Sequence, residues 1–457
     1  MSSVLSCLAA IVLGCPILTL LILGFCGLIQ RPLPERLVDR LTKFHVAMGL
    51  VATLGILGIM IGTNHPMEVL DLGNFVEIGQ EHFHFHLEFI FDRLSIPMVL
   101  MTFVLVGVIG SFANIYLQGD AGYYRFFVCF SMFLVGLLFA FLAGTIETLF
   151  LGWELVGLSS ALLIAYFHER RSPVENGLRV WGIYRVADAA FLMAALMMHH
   201  WTDQGEFLRM VNDQPWPQGT SHLDPLASLS VGLLLLIAAA GKSGLVPFSG
   251  WLPRAMEGPT PSSAVFYGAL SIHLGAYLLL RLAPIFADSF VVRGLMFGLG
   301  ALTAIYAAMT ARVQTDIKSA LAFSSVCQVG IIVMEIALGF WYLALVHIIG
   351  HAFLRSLQLL RAPTLLRDYR TLENAIGGRL ANGQPAWIAR MANHRQIQWY
   401  QFALERGYMD SMIDQALLKP FRKLFKAFER MENDWLRWLE SAKGSGSMKK
   451  TIRQDWL

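Results

Sequence analysis

Windows of roughly twenty apolar residues, the length at which a helix crosses a bilayer core, recur along this chain with short polar gaps between them. They run from about Val4 to Leu28, Phe44 to Ile61, Ile96 to Leu117, Tyr124 to Leu142, Leu149 to Phe167 and Val180 to Met198. Five more follow, Ala227 to Phe248, Ala264 to Leu282, Gly294 to Ala311, Ala320 to Leu338 and Trp341 to Leu360. The pattern predicts an all-α, polytopic membrane bundle of about eleven transmembrane helices, because only a helix closes its backbone hydrogen bonds within one span. Composition agrees: 56% of residues are hydrophobic and 15% charged, too few charges to cover a soluble surface of this size.

The first apolar run lacks a basic n-region and is long enough to span, so it is expected to be a retained helix. Lys and Arg orient the bundle. The first loop carries Arg31, Arg36, Arg40 and Lys43, the fifth Arg170, Arg171 and Arg179, and the ninth Arg312, whereas Arg93, Arg209, Arg281 and Arg293 are scattered through the poorer even-numbered loops. The N-terminus is therefore expected outside and the C-terminal tail in the cytoplasm. Cys7, Cys15, Cys26, Cys129 and Cys327 all fall in apolar segments without CxxC spacing, and read as small buried hydrophobes.

Between the second and third windows, VEIGQEHFHFHLEF alternates, placing His82, His84 and His86 on one strand face and Phe83 and Phe85 on the other. A β-hairpin turning at Gly79-Gln80 is expected there. Three histidines on one face have the chemistry to hold a metal; the polar face of a small outer hairpin is the plainer reading, since no accompanying carboxylate-and-histidine spacing is evident.

Nearly half of the Lys and Arg lie after Pro363. Beyond Pro420, Phe421, Leu424, Phe425, Phe428, Met431, Trp435 and Leu439 recur at helical spacing, with Arg422, Lys423, Lys426 and Arg430 around them. This predicts an amphipathic basic helix that lies on lipid or grips a partner subunit. Lys419, Phe421, Arg422, Phe425, Lys426 and Trp435 are its candidate contact residues, and no nucleic-acid partner is expected. Three regions result: N-terminal helices with the outer hairpin (1–90), a transmembrane core (91–362) and a basic cytoplasmic tail (363–457).

Charges inside the apolar windows are costly and mark ion paths. Lys242 follows VGLLLLIAAAG and precedes Pro247; Glu154 lies near the start of the fifth window, followed by Gly157, Ser159 and Ser160; Arg185 and Asp188, at i and i+3, share a face of the sixth. Lys318 opens the tenth, His347 and His351 stand one turn apart in the eleventh, and His273 interrupts the eighth as a proton site or a packing residue. Glu335 and Arg355 are placed near span ends. Gly241, Gly244 and Pro247 predict a helix break at Lys242 that frees backbone groups to hold water. Protons cross a low-dielectric layer by hopping between such groups, and a lysine whose proton affinity depends on a nearby glutamate can be loaded and emptied.

The stretches FLGWELVGLSS, GKSGLVPFSGWLPRAMEGPTPSSA, VQTDIKSALAFSSVCQVG and HIIGHAF resemble the antiporter-like subunits of respiratory complex I, the L-type above all, and of Mrp-type sodium/proton antiporters, over most of Phe91 to Leu360. The resemblance implies that Glu154 and Lys242 are paired proton-site residues, that Lys318 is the central lysine of a second half-channel, and that His347 and His351 are its relay. Where that family has a histidine after GPTPxSAL this chain reads Phe266-Tyr267, so that relay member is absent or replaced by Tyr267 or His273. The expected continuation past HAF is replaced by HAFLRSLQLL and a hydrophilic stretch. That departure is similar to the membrane subunit of the DAB inorganic-carbon accumulation system. This second resemblance implies a proton or sodium current driving CO2 hydration in a large cytoplasmic DabA-like zinc protein, zinc being expected in the partner and no cofactor in this chain. A bacterial cytoplasmic membrane is implied. The alternative reading is a proton- or sodium-translocating subunit of a complex I-like or Mrp-type assembly.

Overall fold

Each apolar window is a helix in a computed structural model of the chain, which describes residues 2–78, 83–202, 205–219, 224–376 and 393–442. In chain order these helices are α1 (Ser2–Leu28), α2 (Glu35–Thr63), α3 (Ser95–Tyr116), α4 (Tyr123–Leu142), α5 (Ile146–Ile164), α6 (Arg171–Thr202), α7 (Pro225–Ser243), α8 (Thr260–Arg281), α9 (Phe290–Ala311), α10 (Ile317–Ala337) and α11 (Trp341–Ile376). Eleven helices among the described residues are thus long and apolar enough to cross a membrane, and the chain is a multi-pass helical bundle. Polar starts fix several of them. Thr145, Ser289 and Asp316 each accept a hydrogen bond from a backbone N–H of the first turn of α5, α9 and α10.

The central helix is α8, buried along its length. It is irregular, with a π-helical stretch at Ser263–Leu270 and a tighter turn at Ser271–His273 before regular helix from Leu274. Where α9 crosses α10, a methyl on Gly300 would come within 2.6 Å of the Gly330 carbonyl oxygen, so only glycine permits the approach. At the end of α8, Arg281 forms a two-pronged pair with Asp92, 2.6 Å from Nη1 to Oδ2 and 3.3 Å from Nη2 to Oδ1, with the Tyr277 hydroxyl 3.0 Å from Nη2. Both charged residues are buried. This corrects the reading of Arg281 as a loop charge: it sits at a window boundary, and only the fold brings it to Asp92.

The expected hairpin is present as β1 (Glu68–Ile78) and β2 (Phe83–Phe91), antiparallel, with Asp71 opposite Glu88 and Glu77 opposite His84. The turn at Gly79-Gln80 and His82 lie outside the described residues. Toward its end β2 is laced onto the bundle: Phe89 bridges to Ala143, and the Gly144 N–H donates to the Glu88 carbonyl at 2.8 Å. Thr145 bridges in turn to Glu206.

By contacts the chain divides into Met1–Asp410 and Ser411–Leu457. In the first unit α11 stays helical to Ile376, and α12 (Asn393–Leu404) leads to a turn whose Arg406 carbonyl accepts from the Tyr306 hydroxyl at 2.9 Å. Three arginines converge on Asp410: Arg254 at 3.0 Å, Arg406 at 3.5 Å and Arg179 at 3.7 Å. Arg179, read from sequence as a loop charge, is buried in α6. The second unit carries α13 (Lys419–Ala442), whose Phe425, Phe428, Met431 and Trp435 are exposed while the Phe421 ring lies tilted against Phe425, ring centroids 4.7 Å apart.

Candidate functional site

Lys242 is fully buried one residue before α7 ends. The helix stops because Gly244 turns left-handed (φ 65°), a conformation a side chain would resist. The predicted break is therefore real. Its freed backbone groups are held by protein side chains: Trp251 Nε1 donates to the Gly241 carbonyl at 3.0 Å, and the Val246 N–H donates to Thr303 Oγ1 at 3.1 Å. Ser243 Oγ donates to the Ile272 carbonyl of α8 at 2.6 Å.

The ammonium points across to α5 and α6. Its Nζ donates to the Trp153 carbonyl at 2.8 Å and lies 5.0 Å from the Trp153 ring centroid and 4.5 Å from that of Tyr184. Such faces stabilise a desolvated cation by about 2 kcal/mol or more. Glu154, expected near a span start, is eight residues after Ile146 and ten before Ile164, in the middle of α5. It pairs with Arg185 Nη2. The same nitrogen pairs with Asp188 Oδ2 at 2.9 Å, and Asp188 Oδ1 accepts from Trp153 Nε1 at 2.5 Å.

The four residues singled out in these spans therefore form one group: Arg185 pairs with Asp188 as their spacing allows, and Glu154 pairs with Arg185 rather than with Lys242. Glu154 and Lys242 form no ion pair with each other; Lys242 donates instead to the Trp153 carbonyl. Arg185 bridges the two carboxylates, and Trp153 joins the halves, its carbonyl facing the lysine and its indole N–H facing Asp188. Trp153 itself carried no signal in the sequence, where an indole in a membrane helix reads as packing. Gly157 makes the space. A methyl there would sit 3.0 Å from Lys242 Nζ and 3.7 Å from Arg185 Nη2.

A second group lies between α8, α10 and α11. His273 is buried, its Nε2 2.9 Å from His351 Nδ1 and its Nδ1 2.5 Å from the Ala269 carbonyl. A neutral His273 donates from Nδ1 to that carbonyl, which leaves Nε2 to accept from His351. Of the two replacements left open for the missing relay histidine, His273 lies against His351, and the Tyr267 side chain lies outside the described residues. His347 turns the other way: Nδ1 is 2.9 Å from Glu335 Oε1 and Nε2 is 3.0 Å from Gln328 Oε1. The His347 and His351 rings are 6.5 Å apart. Glu335 and Arg355, set aside as span-end charges, are thus site neighbours: Arg355 is buried, donating from Nη2 to Ser324 Oγ at 2.9 Å. Lys318 is half-buried at the second position of α10 and makes no hydrogen bond or ion pair among the described residues.

Formal charge shows what the first group can do. Lys242 and Arg185 against Glu154 and Asp188 sum to zero when all four are ionised. One proton more or fewer leaves a net charge beside the buried Lys242 and Asp188, where an unbalanced charge is costly. A proton arriving on one side is therefore favoured to leave on the other.

Residues 143–392 match the family described as NADH:quinone oxidoreductase/Mrp antiporter, TM, and residues 76–127 match the complex I chain 5 N-terminus. The chain is 34% identical over 363 residues to NADH-quinone oxidoreductase subunit L of Pseudomonas aeruginosa, covering 74% of this chain and 58% of that one. To subunit L of Escherichia coli it is 31% identical over 297 residues, 65% of this chain and 47% of the relative. To NADH-ubiquinone oxidoreductase chain 5 of Cryptococcus neoformans it is 33% identical, covering 61% and 41%. The chain thus spans 41% to 58% of the length of these relatives. In structure it is similar to the Mrp complex from Dietzia (TM-score 0.64, 25% identity, 83% of this chain and 39% of that one). It shares the fold of a chain of the archaeal membrane-bound sulfane sulfur reductase (TM-score 0.68, 16% identity, 90% and 87%). With more than half its length matched, the chain belongs to the family of antiporter-like membrane subunits of complex I and Mrp antiporters.

Proposed function

We propose that this chain is a proton-conducting subunit of a heteromeric membrane complex, with Glu154, Arg185, Asp188 and Lys242 as one half of the path and His273, His351, His347 and Glu335 as the other. The observation that carries it is the four-charge group of zero sum, with Lys242 and Asp188 buried and Glu154 and Arg185 partly so. Proton rather than sodium is favoured because Asp188 Oδ1, Asp188 Oδ2 and Glu154 Oε2 already face donors and the basic side chains of Arg185 and Lys242 belong to the same group. Sodium needs a cage of free oxygens. Lys318 remains the proposed central lysine of the second half-channel. The basic short loops support an N-terminus outside and a cytoplasmic tail, in a bacterial cytoplasmic membrane.

The finer form of the proposal is that the current drives CO2 hydration in a cytoplasmic DabA-like zinc partner, as in the DAB arrangement. The exposed aromatic face of α13, ringed by Lys419, Arg422 and Lys426, supports a docking role for the second unit. The reading that stays beside it is a proton or sodium translocator in a complex I-like or Mrp-type assembly.

The test is ion flux in vesicles containing the chain with the subunits that copurify with it. Under an imposed potential, uptake that acidifies the lumen and is unchanged when sodium is withdrawn supports the proton reading; flux that requires sodium refutes it. A soluble zinc protein among the copurifying subunits supports the hydratase coupling, and redox or small antiporter subunits refute it.

A further inference from the structure

Away from the relay, where β2 is laced onto the start of α5, three ligating side chains converge: His86, Glu88 and Glu206 each offer an atom within 4.8 Å of the others. Glu88 and Glu206 are buried, at 8% and 3% exposure, and His86 is partly so. His86 Nδ1 stands 3.5 Å from Glu206 Oε1. That is too long for a good hydrogen bond but close to the ~3.4 Å edge of a tetrahedron whose ligands sit about 2.1 Å from a metal.

Two independent features point to a ligand. The Glu88 Oε1 atom is buried without a hydrogen-bond partner among the described residues. A carboxylate oxygen in that position costs free energy unless something cationic meets it. The other feature is on the far side of the imidazole, where His86 Nε2 is 2.5 Å from Asp71 Oδ1, which also accepts from the Gly73 N–H at 2.7 Å. A carboxylate on one ring nitrogen, fixing the tautomer and turning the other nitrogen's lone pair toward the cluster, is the outer support that metal-bound histidines almost always have.

Charge fits a dication. Glu88, Glu206 and Asp71 carry three negative charges and Arg209, paired with the outer oxygen of Glu206, one positive. The remainder is minus two. The place is also built by backbone: Glu88 accepts from Gly144 at 2.8 Å and the His86 carbonyl accepts from Thr145 Oγ1 at 3.2 Å, so both ligands on β2 are held. A methyl on Gly144 would fall 2.5 Å from Glu88 Oε1, so this glycine leaves the carboxylate its room.

We infer that His86, Glu88 and Glu206 form a divalent-cation site of the zinc type, which clasps the outer hairpin to the segment before Phe207–Met210. Imidazole among the donors selects a borderline first-row ion over magnesium or calcium. The site differs from the three-histidine face that alternation suggests: it takes one of those histidines and adds a carboxylate two residues on and another 118 residues later.

The full chain is purified in detergent, stripped with chelator, and titrated with Zn2+ alone by equilibrium dialysis and metal analysis. About one Zn2+ per chain is expected to bind saturably, and Glu206→Gln, which keeps size and shape, should weaken it at least tenfold. Asp71→Asn should weaken it about 10- to 100-fold, while His82→Ala and His84→Ala should leave it unchanged. Because His86 variants risk misfolding, Co2+ is added to the unaltered chain as well, where a visible absorption band of a nitrogen-and-oxygen tetrahedral site is expected. No saturable Zn2+, binding indifferent to Glu206→Gln, loss on His82→Ala or His84→Ala, or equal competition by Mg2+ or Ca2+ would each overturn the assignment.

Discussion

Replacing Lys242 with methionine removes one charge and little volume, and its consequences divide cleanly between folding and transport. On the folding side the variant loses a charged hydrogen bond to the Trp153 carbonyl and two cation–π contacts, about 2 to 4 kcal/mol together. It also no longer buries an ammonium, which recovers several kcal/mol of desolvation. The remaining Arg185, Glu154 and Asp188 sum to minus one, and a single proton taken up by a carboxylate restores neutrality. Stability in detergent should therefore change by no more than about 2 kcal/mol.

Transport should not survive. Without a group that accepts and returns a proton beside Trp153, the charge must cross the gap unescorted. A desolvation barrier raised by about 3 kcal/mol slows flux about 100-fold, each 1.36 kcal/mol being a factor of ten. The assay is lumenal pH in vesicles under an imposed potential, with equal chain inserted. Lys242→Met with Asp188→Asn leaves the Arg185–Glu154 pair neutral, so it should fold at least as well as the single variant and still not conduct. Flux within threefold of the unaltered chain for Lys242→Met would sink the account of a zero-sum relay.

Three further outcomes follow from the same geometry. Gly157→Ala places a methyl 3.0 Å from Lys242 Nζ, so the ammonium must shift; flux should fall about tenfold or more while helix content and thermal stability hold. His273→Ala and His351→Ala should each lower flux, and the double variant should be little worse than either single one, since the two rings share one hydrogen bond; additive losses would show that they act apart. Trp251→Phe orphans the Gly241 carbonyl at a cost of about 1 to 3 kcal/mol, and should raise amide exchange at 241–246 without raising flux.

The spans were legible because an apolar run of bilayer length has one cheap solution, and Lys242, Glu154 and Asp188 were legible because an intramembrane charge is too costly to be incidental. Their pairing was legible only in part. Arg185 and Asp188, three apart on one helix, read as a self-neutralising pair, and nothing local says that Glu154 of α5 claims the same guanidinium. Arg281 and Asp92 stand 189 residues apart at window edges, where any charge reads as a loop residue, and Asp410 lies 156 residues from Arg254. Long-range partners of this kind leave no periodic trace. His86 was legible by alternation, but Glu206 as its neighbour was not, because it comes from a different loop.

The break after Lys242 bears on how such a relay moves. Glycine, glycine and proline in one stretch suggest a hinge, and a hinge would let the lysine swing with the backbone. Here the loose ends are tied: Trp251 holds Gly241, Thr303 holds Val246, and Ser243 holds α8. Opening this segment means breaking three buried hydrogen bonds, about 1 kcal/mol net each and more if their groups stay dry. The lysine side chain has a cheaper course, since its four-carbon stem turns by rotamer changes between the Trp153 carbonyl, two aromatic faces and the carboxylates around Arg185. On the proposed relay, a fixed backbone and a swinging ammonium would account for loading and release with less work than a moving helix. The break then serves to end α7 where the amine meets α5 and α6, with its own polar groups satisfied.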